Sequence, residues 1–108
     1  MSYNVHITRA DHWTNSEAKP ISIEESKDYF AAKADFEYMN KLSHQTPFGT
    51  LTMGGEFFVW NDKDVKVPFR YYEGRITVSG ADDFIIGRMK QVAQELDAIV
   101  QGDEGELY

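Results

Sequence analysis

Val67-Pro68-Phe69-Arg70-Tyr71-Tyr72-Glu73-Gly74-Arg75-Ile76-Thr77-Val78-Ser79 holds two β-rich runs on either side of Glu73-Gly74. An acidic residue followed by glycine suits a two-residue hairpin loop, whose backbone needs positive φ. That loop sets Tyr72 opposite Arg75, Tyr71 opposite Ile76 and Phe69 opposite Val78. One face of the ribbon then carries Phe69, Tyr71, Ile76 and Val78, all apolar or aromatic. The other carries Arg70, Tyr72, Arg75 and Thr77. A slip of one residue would mix the two sets, so the pattern and the turn specify the same register.

Outward from this hairpin, Asp82-Asp83 suits the start of a helix, because carboxylates are stabilised at its positive end. Ile85, Met89, Val92, Leu96 and Ile99 then recur by fours and threes, the spacing of one apolar helix stripe. Ala98 to Gln101 is β-like, so the helix should stop near Leu96 or Asp97. A short last strand follows, with an acidic tail from Gly102 to Tyr108. On the other side, Glu56 to Asn61 reads as a strand closed by the turn Asn61-Asp62-Lys63-Asp64. Ser43 to Gly55 contains Pro47, Gly49, Gly54 and Gly55 and reads mostly as loop, with a short strand at Leu51 to Met53. Asp35 to Leu42 fits either a strand or a continued helix. Ser22-Ile23-Glu24-Glu25 has capping-box spacing and opens a helix running to about Lys33. Arg9 to Pro20 reads as a long polar loop interrupted by Trp13, and Tyr3 to Thr8 alternates as a first strand. The expected fold is a single α+β domain over residues 1–108. It has a mostly antiparallel sheet of about five strands, a common sheet size, with two helices packed on one face.

Composition bounds the function. A chain of 108 residues has room for one core, and 42% hydrophobic and 14% aromatic residues argue against disorder. No apolar run approaches the roughly 20 residues of a membrane helix, and the N-terminus lacks the layout of a signal peptide. With no cysteine, disulfides, thiol chemistry and cysteine-based zinc sites are excluded. These features lead us to expect a cytoplasmic protein. The 11 basic and 18 acidic residues give a net charge of −7, which disfavours nucleic-acid binding. An acidic surface attracts basic protein partners, and it also serves solubility alone.

His6, His12 and His44 form no HxH, HxxxH or HExxH spacing, so no metal site is expected. The chain has no GxSxG turn and no glycine-rich phosphate cradle. The tail Gly102-Asp103-Glu104-Gly105-Glu106 lacks the alternating ligands of a calcium loop. Neither a catalytic residue nor a cofactor is therefore assigned, and a binding protein is favoured over an enzyme. Arg70, Tyr72 and Arg75 combine two guanidinium groups with an aromatic platform, residue types enriched in binding hot spots. A plain solvated face is the competing reading. Asp103, Glu104 and Glu106 add a candidate docking element for a basic partner. An alternative is a small enzyme or ligand-binding domain whose pocket lies between the first loop and the tail, using Arg9, His12, Trp13 and Asp103.

Three stretches carry a family resemblance: Ile7-Thr8-Arg9-Ala10 with Trp13, Ser16, Pro20 and Ile21; Phe69 to Ile76; and Val100 to Glu106 with Tyr108. Together they resemble a family of small bacterial proteins, some of which look like immunity partners of polymorphic or Rhs-type toxins. The middle, Ala34 to Gly55, matches poorly. Relatives carry tryptophan where this chain has Ser26, and favour glycine near Asp97. The resemblance implies a protein that binds and neutralises a cognate toxin domain. It supplies no catalytic residue. Such a protein is expected as a monomer, or as a homodimer paired through an exposed strand edge.

Overall fold

The computed structural model describes residues 3–108. Six strands form one antiparallel sheet: β1 (Asn4–Thr8), β2 (Phe36–Thr46), β3 (Gly49–Asp62), β4 (Val65–Tyr72), β5 (Arg75–Ser79) and β6 (Ile99–Gly102). Their order is β2-β3-β4-β5-β1-β6. A 3-10 helix (Trp13–Ala18) and α1 (Ile23–Ala31) lie between β1 and β2, and α2 (Asp83–Glu95) links β5 to β6 across β1. The α+β class, the single domain and the antiparallel sheet agree with the sequence pattern. The sheet has six strands rather than five.

The β4–β5 hairpin adopts the expected register, with Tyr72 opposite Arg75 and Tyr71 opposite Ile76. Glu73 and Gly74 have φ of 50° and 82°, the left-handed pair that matches the twist of a tight hairpin. Gly74 is required twice over. A Cβ there would sit 2.7 Å from Pro20 Cβ and 2.9 Å from the Ser16 carbonyl oxygen.

The apolar face is covered by both helices. Phe30 of α1 and Met89, Val92 and Ala93 of α2 share one core with Val5, Ile7, Phe58, Trp60, Phe69, Ile76 and Val78. The Phe30 ring lies 4.5 Å from both Phe36 and Phe58, which ties α1 to the β2–β3 end of the sheet. Ser22 caps α1 by accepting from the Glu25 amide at 3.0 Å, and Asp82 caps α2 by accepting from Ile85 at 2.9 Å. Of the apolar stripe, Ile99 has left the helix for β6 and is 39% exposed. α2 ends at Glu95 because Asp97 turns left-handed, with φ of 57°.

Ser43 to Gly55 is not mostly loop, as its glycines and proline suggest. It belongs to the longest hairpin of the sheet, β2 with β3, and the turn-forming residues are confined to its tip and its bend. Thr46 pairs with Gly49 around Pro47-Phe48, and the register shifts between Met39 and Lys41, where Asn40 faces Gly55 and Glu56. Asp35 to Leu42 resolves as strand from Phe36 onward. The tail is also ordered. Gly102 donates to the Glu106 carbonyl and Tyr108 to that of Val100, folding the tail back along β6.

Glycine accepts positive φ without the Cβ clash that other residues suffer. Asp97→Gly should therefore raise stability by about 0.5–1 kcal/mol, or several degrees in Tm for a domain this size. A thermal melt of the variant checks this, and an unchanged or lower Tm would mean that Asp97 bears no strain.

Candidate functional site

The face of the sheet opposite the helices is concave and in part uncovered. Its floor follows strictly from alternation: Arg70 of β4 lies opposite Thr77 of β5, and Thr77 opposite His6 of β1. On one side, the outer half of the β2–β3 hairpin brings Leu42 and Met53 beside Phe57 and Pro68. On the other stand Trp13, from the first loop, and Asp103, from the tail. Together they enclose a cleft of about 430 Å³, open to solvent.

The first loop is fastened over this face by polar bonds. Trp13 donates its amide to Gln101 Oε1 at 2.8 Å and its indole Nε1 to the Asp103 carbonyl at 3.1 Å. Gln101 Nε2 in turn donates to the Asp11 carbonyl at 2.8 Å. The Trp13 ring stacks on His6, with centroids 4.2 Å apart and planes 14° from parallel. His6 is 2% exposed and bonded at both nitrogens, Nε2 to Asp103 Oδ1 at 2.8 Å and Nδ1 to Thr77 Oγ1 at 2.8 Å. A neutral ring that donates from Nε2 and accepts from the Thr77 hydroxyl satisfies both. Burial pushes the His6 pKa below the usual histidine value, against the pull of Asp103. For Asp103, burial opposes ionisation, yet the Asn4 amide and His6 together hold its pKa below the ordinary carboxylate range.

Two guanidinium groups converge on one ring. Arg70 lies 5.0 Å and Arg75 5.5 Å from the centre of Tyr72, and Arg75 is also 5.2 Å from that of Trp13. Arg75 Nη1 bonds Ser16 Oγ at 3.2 Å and reaches Glu73 at 3.4 Å. Its Nε is buried without a hydrogen-bond partner among the described residues. Arg70 has no ion-pair partner among them either.

Two sets of residues that the sequence presents separately therefore meet. Arg70, Tyr72 and Arg75 line the same cleft as Trp13 and Asp103. The other candidates lie elsewhere. Arg9 is on the helix side, donating to Glu25 at 2.8 Å and to the Leu96 carbonyl at 2.9 Å. His12 sits outside the cleft, held by Thr14 and close to Gly105. Glu106 accepts from Tyr3, and exposed Glu104 does not line the cleft. His6, Thr77, Leu42 and Met53 were not expected in the site. The first two follow from alternation once β1 is known to lie beside β5. The last two are hidden by the loop-like composition of the β2–β3 hairpin.

Among the described residues no cluster of three or more histidine and carboxylate side chains could hold a metal ion, and no helix is long and apolar enough to cross a membrane. The chain matches no family model, no curated protein and no solved structure.

The depressed His6 pKa has a pH consequence. The unfolded chain takes up a proton near pH 6.5, whereas the folded chain resists it until a lower pH. The stability due to neutral, buried His6 is thus complete above about pH 6.5 and is lost as pH falls toward the folded value. Tm should drop between pH 7 and pH 5, and His6→Gln should flatten that slope while lowering Tm at pH 7. Equal slopes in the two proteins would remove His6 as the source.

Proposed function

We propose that the protein is an immunity-type inhibitor that binds a cognate bacterial toxin domain on the concave face of its sheet and neutralises it in the cytoplasm. The observation that carries this reading is the convergence of Arg70, Tyr72, Arg75 and Trp13 with Leu42 and Met53 in one open cleft. Arginine, tyrosine and tryptophan dominate binding energetics, because they combine large apolar area with directed hydrogen bonds. A standard interface takes about 800 Å² per partner, a small share of the 6758 Å² surface of this chain. The sheet face with its β2–β3 arm is large enough. The choice of partner rests on the resemblance of both ends and the β4–β5 hairpin to a family of small bacterial proteins, some of which look like immunity partners of toxins.

The test is capture with the tagged protein from its host, beside an Arg70→Glu/Arg75→Glu variant and a Lys90→Glu control on the exposed side of α2. One stoichiometric toxin-like partner is expected with the native chain and the control, and about a hundredfold less with the double variant, as for loss of two charged hot-spot contacts. A partner retained by the double variant would move the interface off this face.

A second reading, a small hydrolytic or ligand-binding domain, rests on the Asp103–His6–Thr77 chain of hydrogen bonds at the cleft. In this chain neutral His6 could accept a proton from the Thr77 hydroxyl. Activity toward a panel of ester substrates that disappears in a folded Thr77→Val variant would favour it. Activity unaffected by Thr77→Val would discard it.

A further inference from the structure

Resting on the inhibitor reading, we infer that the cleft is built to take an acidic side chain of the partner, flanked by an apolar one, inserted from a body that is basic as a whole. Arg70 and Arg75 lie 5.0 Å and 5.5 Å from the centre of the Tyr72 ring, so two like charges share one platform. Cation–π attraction and solvent offset part of their repulsion, and an anion placed between or beside them would offset more. Glu73 pairs with Nη1 of Arg75 at 3.4 Å and Asp103 is committed to His6 and to the Asn4 amide, which leaves Arg70 without an ion-pair partner and Arg75 Nε without an acceptor among the described residues. A planar guanidinium matches a carboxylate through paired N–H donors.

The other end of the cleft sets the neighbour of that carboxylate. Leu42 and Met53 face the cationic end across Phe57 and Pro68, and Met53 is 49% exposed. An aliphatic or aromatic side chain next to the acidic one would cover them. The net charge of −7 completes the argument, since it repels a free anion or an acidic protein approaching from a distance. The carboxylate arrives on a surface that is otherwise basic, so overall charge steers the encounter and the arginine pair fixes the register.

The probe is a capped tripeptide, acetyl-Leu-Glu-Leu-amide, titrated into ¹⁵N-labelled protein beside its Leu-Gln-Leu counterpart. The indole N–H of Trp13 reports on the cleft, and that of Trp60, in the core on the opposite face and bonded to Asp35 at 2.9 Å, is the internal reference. Saturable movement of the Trp13 signal is expected with a steady Trp60 signal. Charge-assisted bonds exceed neutral ones by about 1 kcal/mol, so the glutamine peptide should bind about fivefold more weakly. Arg70→Gln, at an exposed position, should abolish the difference without disturbing the fold. Equal binding of the two peptides, a discrimination that survives Arg70→Gln, or no movement of Trp13 up to about 10 mM, near the weak end of measurable affinity, would overturn the inference. A partner captured and then lost in the arginine variants, with silent peptide titrations, would sink the acidic-side-chain inference alone. Charge-selective peptide binding with no captured partner would instead sink the inhibitor reading.

Discussion

The turn at Glu73-Gly74 is the constraint on which the other elements depend. Two consecutive left-handed residues fix the pairing of β4 with β5, and the turn is seated from outside by the loop that follows β1. Ser16 Oγ donates to the Glu73 carbonyl at 2.7 Å, and the Ile21 amide to that of Gly74 at 3.0 Å. Tyr71 Oη closes the junction by donating to the Ile21 carbonyl at 2.7 Å. Because side chains alternate with a period of two, this one turn decides which residues meet the helices and which face the cleft. It also sets the path of the chain into α1, and hence the position of Phe30 over the sheet.

The cleft owes its shape to polar fastening rather than to a second core. One wall is a loop and a tail, segments that would fray if their backbone groups were left to water. Here they are cross-bonded through Gln101, Trp13 and Asp103. His6 lies beneath this wall, neutral and saturated with partners, while the Arg70 and Arg75 guanidinium groups occupy the floor. The polar groups thus have separate tasks: Arg70 presents a charge that no carboxylate among the described residues pairs, and histidine holds the wall that confines it.

Legibility in the sequence followed the strength of local signals. The β4–β5 hairpin could be read residue by residue because turn type and face pattern agree, and the two helix starts because Ser22 and Asp82 are strong caps. Ile99 continues the helix stripe by spacing, but the β-like run Ala98 to Gln101 places the helix end near Leu96 or Asp97, and the left-handed Asp97 ends it there. The β2–β3 hairpin, by contrast, was obscured. Most of its outer half is exposed on both faces, so no alternation marks it, and its glycines mark a bend rather than an interruption. The site residues on β4 and β5 were legible as one polar face. Their meeting with Trp13 and Asp103 was not, since it depends on β1 and β6 lying beyond β5, a long-range arrangement without a local signature.

The β2–β3 arm has a consequence for how this scaffold can vary. Beyond the register shift, its two strands pair one to one from Lys41–Gly54 to Thr46–Gly49 and contribute nothing to the main core. Cutting or adding one cross-strand pair at a time would flip the pleat of everything distal, whereas steps of two pairs would keep Leu42 and Met53 on the wall they occupy. The arm is therefore a ruler with coarse graduations. Its reach can be reset in increments of about 7 Å, two residues of extended chain, while the folded body beneath it stays the same.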